Sequence, residues 1–410
     1  MSRTFARLTC LLLVLVAAAR GVQAQTLPSE PIVLANGRVT VSGDVSAGFG
    51  SDDSTTFFDY TDYQHSALRL LRLDLSTAIK AGPHFTVLGE VRSENLGSVR
   101  PYALYLRIRP WTNRDFDVQV GRVPPTFGAF ARRTYANDNP LIGYPLAYQY
   151  LTSLRPDSLP ASADELLKKR GLGWLLNYSV GDQTKDHGVP LVSAFTWDTG
   201  VQAHTTVGIL SASVAVTAGT VSNPLFADDN GGRQVAGRVE VRPVPGLIVG
   251  TSLARGPFVA QSAVRAAVGD ARGDFTQTAW GGDLEYSRDH YIARVETIVS
   301  RWEVPIAPTP AGQLALDGPL GAVSLSLEGR YKVRPGLYVA ARAEHLGFSE
   351  VTSATQTLPW DAPVNRIEFG AGYSIQRNLL LKGAYQRNDR DGGPLTRIAH
   401  MFAAQLVFWF

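Results

Sequence analysis

Cysteine is almost absent from this chain: Cys10 is the only one. It lies inside the apolar run Leu8 to Ala19, behind Arg3 and Arg7 and ahead of Val22-Gln23-Ala24. That order of basic, apolar and small residues is expected of a secretory signal cleaved after Ala24. The apolar run is too short to cross a ~30 Å hydrocarbon core, and no later stretch reads as a spanning helix. Cleavage would leave a chain without thiols, which excludes disulfides and zinc held through sulfur. An excess of one charge is lacking too. Of 39 Lys+Arg and 36 Asp+Glu, removal of Arg3, Arg7 and Arg20 leaves 36 of each. A formally neutral chain gives no general attraction to nucleic acid, so no nucleic-acid partner is expected.

What the sequence has is alternation. Arg72-Leu73-Asp74-Leu75-Ser76, Arg238-Val239-Glu240-Val241-Arg242, Arg294-Val295-Glu296-Thr297 and Glu328-Gly329-Arg330-Tyr331 switch between polar and apolar residue by residue, as a strand with two different faces must. Tight links such as Arg334-Pro335-Gly336 and Arg377-Asn378 alternate with long stretches such as 256–277, 303–318 and 350–363. Short turns at one end and long loops at the other predict an all-β, antiparallel transmembrane β-barrel of the bacterial outer membrane. Counting segments between 38–50 and 398–410 gives about eighteen strands, among them 171–180, 189–198 and 202–210. Dropping 189–198 and 202–210 leaves sixteen, the alternative. The expected organisation is a signal at 1–24, a short periplasmic segment at 25–37, too short for a folded plug, and a barrel over 38–410.

If the apolar alternates face lipid, the charged ones face the lumen, because Arg or Lys on the lipid side at mid-membrane costs about 2–4 kcal/mol. Seven pairs two residues apart then share the inner face: Arg72/Asp74, Glu90/Arg92, Arg238/Glu240, Arg294/Glu296, Glu328/Arg330, Arg342/Glu344 and Arg366/Glu368. They predict a hydrated conduit crossed by a transverse field, or a wall stitched by salt bridges around a closed interior. Side chains alone cannot fill a barrel of sixteen or eighteen strands. The longest connection, 124–170, holds Phe127, Phe130, Arg132, Arg133 and Tyr135. Its rings and guanidinium groups suit a loop that enters the lumen, narrows it and favours anions; an extracellular cap is the alternative.

Catalysis has no signature here. The seven histidines are scattered, with neither a Gly-x-Ser-x-Gly elbow nor a His-Glu-x-x-His helix. Asp228-Asp229-Asn230-Gly231-Gly232 lacks the spacing of a dedicated calcium loop. The expectation is a protein that is not an enzyme and uses no metal or cofactor. A hydrolase and an adhesive barrel with a closed lumen are the rival readings.

Met401 to Phe410 places Phe402, Ala404, Leu406, Phe408 and Phe410 on one face, and pairing with residues 38–50 would remove the exposed edge. This closing strand and the barrel pattern resemble outer-membrane porins. Gly121-Arg122-Val123-Pro124-Pro125-Thr126-Phe127-Gly128 resembles the strand-to-loop passage of phosphate-selective-porin-like proteins, although the chain has no ladder of unopposed Arg and Lys. The resemblance implies passive diffusion of small hydrophilic solutes or ions across the cell outer membrane. It implies partnership with outer-membrane lipid, lipopolysaccharide and the barrel-assembly machinery, the last reading Phe402, Leu406, Phe408 and Phe410. It also allows a homotrimer.

Overall fold

The computed structural model describes residues 30–54, 56–61, 65–130, 133–194, 196–269, 275–305 and 318–410. The signal expected at 1–24, with Cys10, the first residues of the 25–37 segment and Arg132 lie outside them. Sixteen strands form the wall: β1 (Val39–Gly50), β2 (Leu71–Lys80), β3 (Phe85–Glu94), β4 (Arg100–Ile108), β5 (Phe116–Val123), β6 (Asp198–Val207), β7 (Leu210–Thr217) and β8 (Gln234–Val244). They continue as β9 (Leu247–Pro257), β10 (Thr276–Arg288), β11 (Tyr291–Trp302), β12 (Leu320–Arg334), β13 (Leu337–Phe348), β14 (Val364–Gln376), β15 (Leu379–Arg390) and β16 (Ile398–Trp409). Each pairs antiparallel with the next, and β16 returns to β1 with Val45 opposite Phe408 and Ala47 opposite Leu406. The sheet is closed. A further short strand, Ile32–Leu34, turns back at Ala35–Gly37 and lies along β1.

The count is therefore sixteen, but the predicted segments that drop out are 171–180 and 189–198. The 202–210 segment is a wall strand, observed as β6. Leu176, Tyr178, Leu191 and Val192 are buried inside the barrel, and neither stretch pairs into the wall sheet before Asp198, the first residue of β6. Alternation along the sequence does not reveal this. The connection between β5 and β6 consequently runs over 124–197, longer than the expected 124–170.

The faces are those of a barrel that crosses a bilayer. Val214, Leu253, Trp280, Leu327, Phe369 and Phe402 lie exposed on the outside, Phe402 at 62%. Charged residues at alternate positions face in. No helix among the described residues is long and apolar enough to span a membrane; the strands do the crossing. Two-residue turns at Pro245-Gly246 and Pro335-Gly336 each follow a register shift, the extra residue tightening the twist where the hairpin closes.

Candidate functional site

The inner wall carries its charges in rungs across strands rather than in pairs along them. Opposed residues on neighbouring strands are about 4.5–5.5 Å apart, whereas residues two apart on one strand are about 6.6 Å apart. Register decides the partners. Arg72 faces Glu94 and Arg92 faces Asp74, and their ion pairs close at 2.7 and 2.5 Å. A longer rung runs over five strands: Glu285 to Arg294 at 2.6 Å, Arg294 to Glu328 at 2.9 Å, Glu328 to Arg342 at 3.3 Å, and Arg342 to Glu368 at 2.7 Å. Of the seven same-strand pairs, Arg238 to Glu240 at 3.5 Å and Arg342 to Glu344 at 3.3 Å are in contact. Arg238 lies closer to Asp283, at 2.6 Å. Arg366 turns to Asp59, at 3.3 Å, in the connection between β1 and β2. Arg330 lies over the Tyr338 ring.

Segment 124–197 enters the barrel. Pro124 and Pro125 directly follow β5, where two residues without N–H groups end the ladder. The wall then receives the segment's backbone. Glu296 accepts from the Ala129 N–H at 2.7 Å and the Tyr148 hydroxyl at 2.6 Å. Glu344 accepts from Leu146 N–H at 2.8 Å, and Glu368 from Gly143 N–H at 3.2 Å. Lys382 donates to the carbonyls of Ala136, Asn139 and Leu141 at 2.7, 3.0 and 3.1 Å. Tyr135 donates to Glu90 at 2.6 Å, and Arg133 lies 3.3 Å from Glu328. Backbone groups drawn from water need such partners, since an unpaired one costs about 1–3 kcal/mol. The charged wall supplies them.

Phe127 and Phe130 are both buried, and Phe130 packs on Tyr144 and Tyr148 with ring centroids 5.6 and 5.2 Å apart. Further along lie the short helices α1 (Leu146–Gln149) and α2 (Ala163–Lys168), the second capped by Ser162 accepting from Glu165 N–H. The far part of the segment forms an apolar core with Trp302, Phe348 and Trp360 near the long-loop end of the barrel. Asp361 anchors it by accepting from Ser153 and Gly171 N–H groups at 2.7 and 2.6 Å. Burial pushes the Asp361 carboxyl above the usual carboxylate range, against the pull of those donors. A piece of the chain's own middle thus occupies much of the interior.

Cavities remain between the segment and the wall, two of them beside β8. One of about 120 Å³ is lined by Ala129, Arg133, Arg238, Asp283, Arg294 and Glu296, together with Glu240 and Glu285. Toward the short-turn end beyond it, the Arg242 side chain is 59% exposed. The other, about 40 Å³, lies nearer the long loops among Thr126, Phe127, Val192, Thr196, Thr217 and Gln234.

Phe127, Phe130, Arg133 and Tyr135 all belong to the inserted segment, but against different parts of it and of the wall: Phe127 at Gly281, Phe130 on Tyr144 and Tyr148, Arg133 at Glu328 and Tyr135 at Glu90. Lys382, Ser252, Asp59 and Asp361 were not singled out in the sequence. Lys382 had a signal, as a lone cation in the run Leu379-Leu380-Leu381-Lys382; the others are short polar residues with no pattern. On the outside, His345 and His400 bond Asn365 and Tyr385. Among the described residues no cluster of His, Cys, Asp or Glu is placed to hold a metal ion.

No family model and no curated protein matches the chain, so the likeness of 121–128 to phosphate-selective-porin-like proteins has no support from a family model. Solved structures do match. The outer-membrane expressed OmpT of Vibrio cholerae aligns at TM-score 0.54 and 12% identity, over 92% of this chain and 100% of its own. The anion-selective porin from Comamonas acidovorans gives TM-score 0.53 at 11% identity, over 91% and 99%. The outer-membrane channel DcaP of Acinetobacter baumannii gives 0.52 at 13%, over 92% and 99%. Such low identity carries the fold alone. The chain is a closed, sixteen-stranded antiparallel barrel of the outer membrane, with the architecture of the porins and channels it matches.

Proposed function

We propose that this barrel is a porin-type channel for passive diffusion of small hydrophilic solutes or ions. The observation that carries the reading is the charged cavity between the inserted segment and the β8–β11 wall, continuous in character with the exposed Arg242 side chain beyond it. Charges of both signs line it: Arg133, Arg238 and Arg294 against Glu240, Asp283, Glu285 and Glu296. Fixed charges of opposite sign orient water and disfavour bulky apolar solutes. Arg133 is offset by Glu328, so the anion preference read from Arg132 and Arg133 is weak in this proposal. No catalytic step, cofactor or metal belongs to it. Assembly as a homotrimer within lipid and lipopolysaccharide is part of the reading, and the mass of the detergent-extracted particle tests the trimer.

Purified protein in a planar bilayer should give stepwise ohmic conductance. Intact, inserted barrels that never conduct would reject the channel. They would favour the second reading, a closed barrel whose long loops bind a partner, which has its own support in the burial of Arg72, Arg92, Arg342 and Arg366 beneath the segment. Replacing Arg133 by Ala should move the reversal potential toward cations or raise conductance; no change in either removes the residue from the constriction.

A further inference from the structure

Along β8 the inward positions divide into two groups. Gln234 and Ala236 line the smaller cavity; Arg238 and Glu240 line the larger. The inserted segment divides at the same level, with Thr126 and Phe127 on the first cavity and Ala129 and Arg133 on the second. What separates the two is Phe127-Gly128. Gly128 N–H donates to the Ser252 hydroxyl at 3.1 Å, and Ser252 also accepts from Arg238 at 3.2 Å.

The Phe127 ring rests where Gly281 of β10 leaves room, opposite Ser252 in the register. A Cβ on Gly281 would stand 3.1 Å from the ring's Cζ, so a larger residue there would displace the ring. Gly128 holds φ +80, which L side chains rarely adopt, and a Cβ there would strike the Tyr148 hydroxyl. Glu296 fixes the next residue by accepting Ala129 N–H, and the same carboxylate oxygen accepts the Tyr148 hydroxyl. One aromatic ring is the partition, and three polar groups hold it in place.

Building on the channel reading above, we propose that the conduit follows the inner face of β8 from the cavity beneath connection 218–233 to the charged cavity, and that Phe127 sets its bore. The segment fills the opposite side of the lumen and carries no flow. Ions and small polar molecules pass Phe127 only as its ring leaves the Gly281 seat. The ring is thus the size-determining element, and the rung charges act on what has already passed it.

Two measurements test this in the full-length chain. Phe127→Ala should raise single-channel conductance about twofold or more and admit larger uncharged polyethylene glycols. Tyr178→Phe, which removes one buried hydrogen bond elsewhere in the segment, should conduct as the parent does. Because Cys10 is the only native thiol, single cysteines can map the route with a charged methanethiosulfonate. Thr196→Cys and Ala129→Cys, one on each cavity, should be blocked, whereas Ser46→Cys on the inner face of β1 should not. A conducting parent with unchanged Phe127→Ala conductance, or block at Ser46→Cys without block at Thr196→Cys, overturns the route and leaves the channel reading standing. Absence of conductance in the parent and in every variant overturns both.

Discussion

Lys382 shows how much one side chain can hold in this interior. Its ammonium group is buried and donates to three carbonyls of the inserted segment. Lys382→Met keeps the volume and strands those acceptors, at about 3 kcal/mol or more in total. Hydrogen exchange at residues 136–141 should accelerate while the β14 and β15 amides stay protected; unchanged exchange would show that the lysine is not the clasp. Asp59 gives a pH dependence. Burial pushes its carboxyl up to about 7, with Asp53 and Glu368 adding to the rise and Arg366 opposing it. Against an unfolded value near 3.9, the native state holds a proton through about pH 4 to 7 that the unfolded chain has released. Stability is therefore highest below that window, falls as pH rises through it, and levels off above. Exchange protection at Phe58 and Tyr60 should follow this course, and Asp59→Asn should flatten it.

Among the elements, the charged rungs were partly legible in advance. Alternation identified which residues face the lumen, including Arg294, Glu328, Arg342 and Glu368. It could not identify their partners, because partnership depends on register, and register is a relation between strands that no single segment contains. Arg294 meets Glu285 and Glu328 across two strand pairs, not its own neighbour Glu296. The rung predicts unequal costs. Arg342→Met leaves Glu328, Glu344 and Glu368 without their shared cation and should cost about 3–5 kcal/mol; Arg72→Met takes the cation from Glu94, which keeps the Thr61 hydroxyl, and should cost less. Denaturant unfolding in detergent measures both, and equal losses would mean that the rung does not act as a unit. The inserted segment was the part least legible. Its stretches 171–180 and 189–194 alternate enough to pass for strands, and only the burial of Leu176, Tyr178, Leu191 and Val192 inside the barrel shows that they are packing material.

The whole wall, by contrast, follows from pattern: two faces, one row of tight turns, and a last strand whose apolar side matches the belt. Its closure rests on backbone bonds between neighbours, β16 to β1 included, and not on the contents of the lumen. Replacing residues 130–190 by a short flexible linker should leave the β-sheet circular dichroism intact and raise conductance in a single large step. Loss of the sheet signal would show that the wall needs its filling. The inserted segment also has a bearing on timing. It leaves the wall after β5, yet its clasps at Glu296, Glu344, Glu368 and Lys382 sit on β11 to β15, made much later in the chain. While those strands are still being added, the segment has no complete seat and its apolar residues are without their final cover. Docking must come last, so a slow final phase, seen as delayed burial of Trp302 and Trp360 after the sheet has formed, is the kinetic mark of this design.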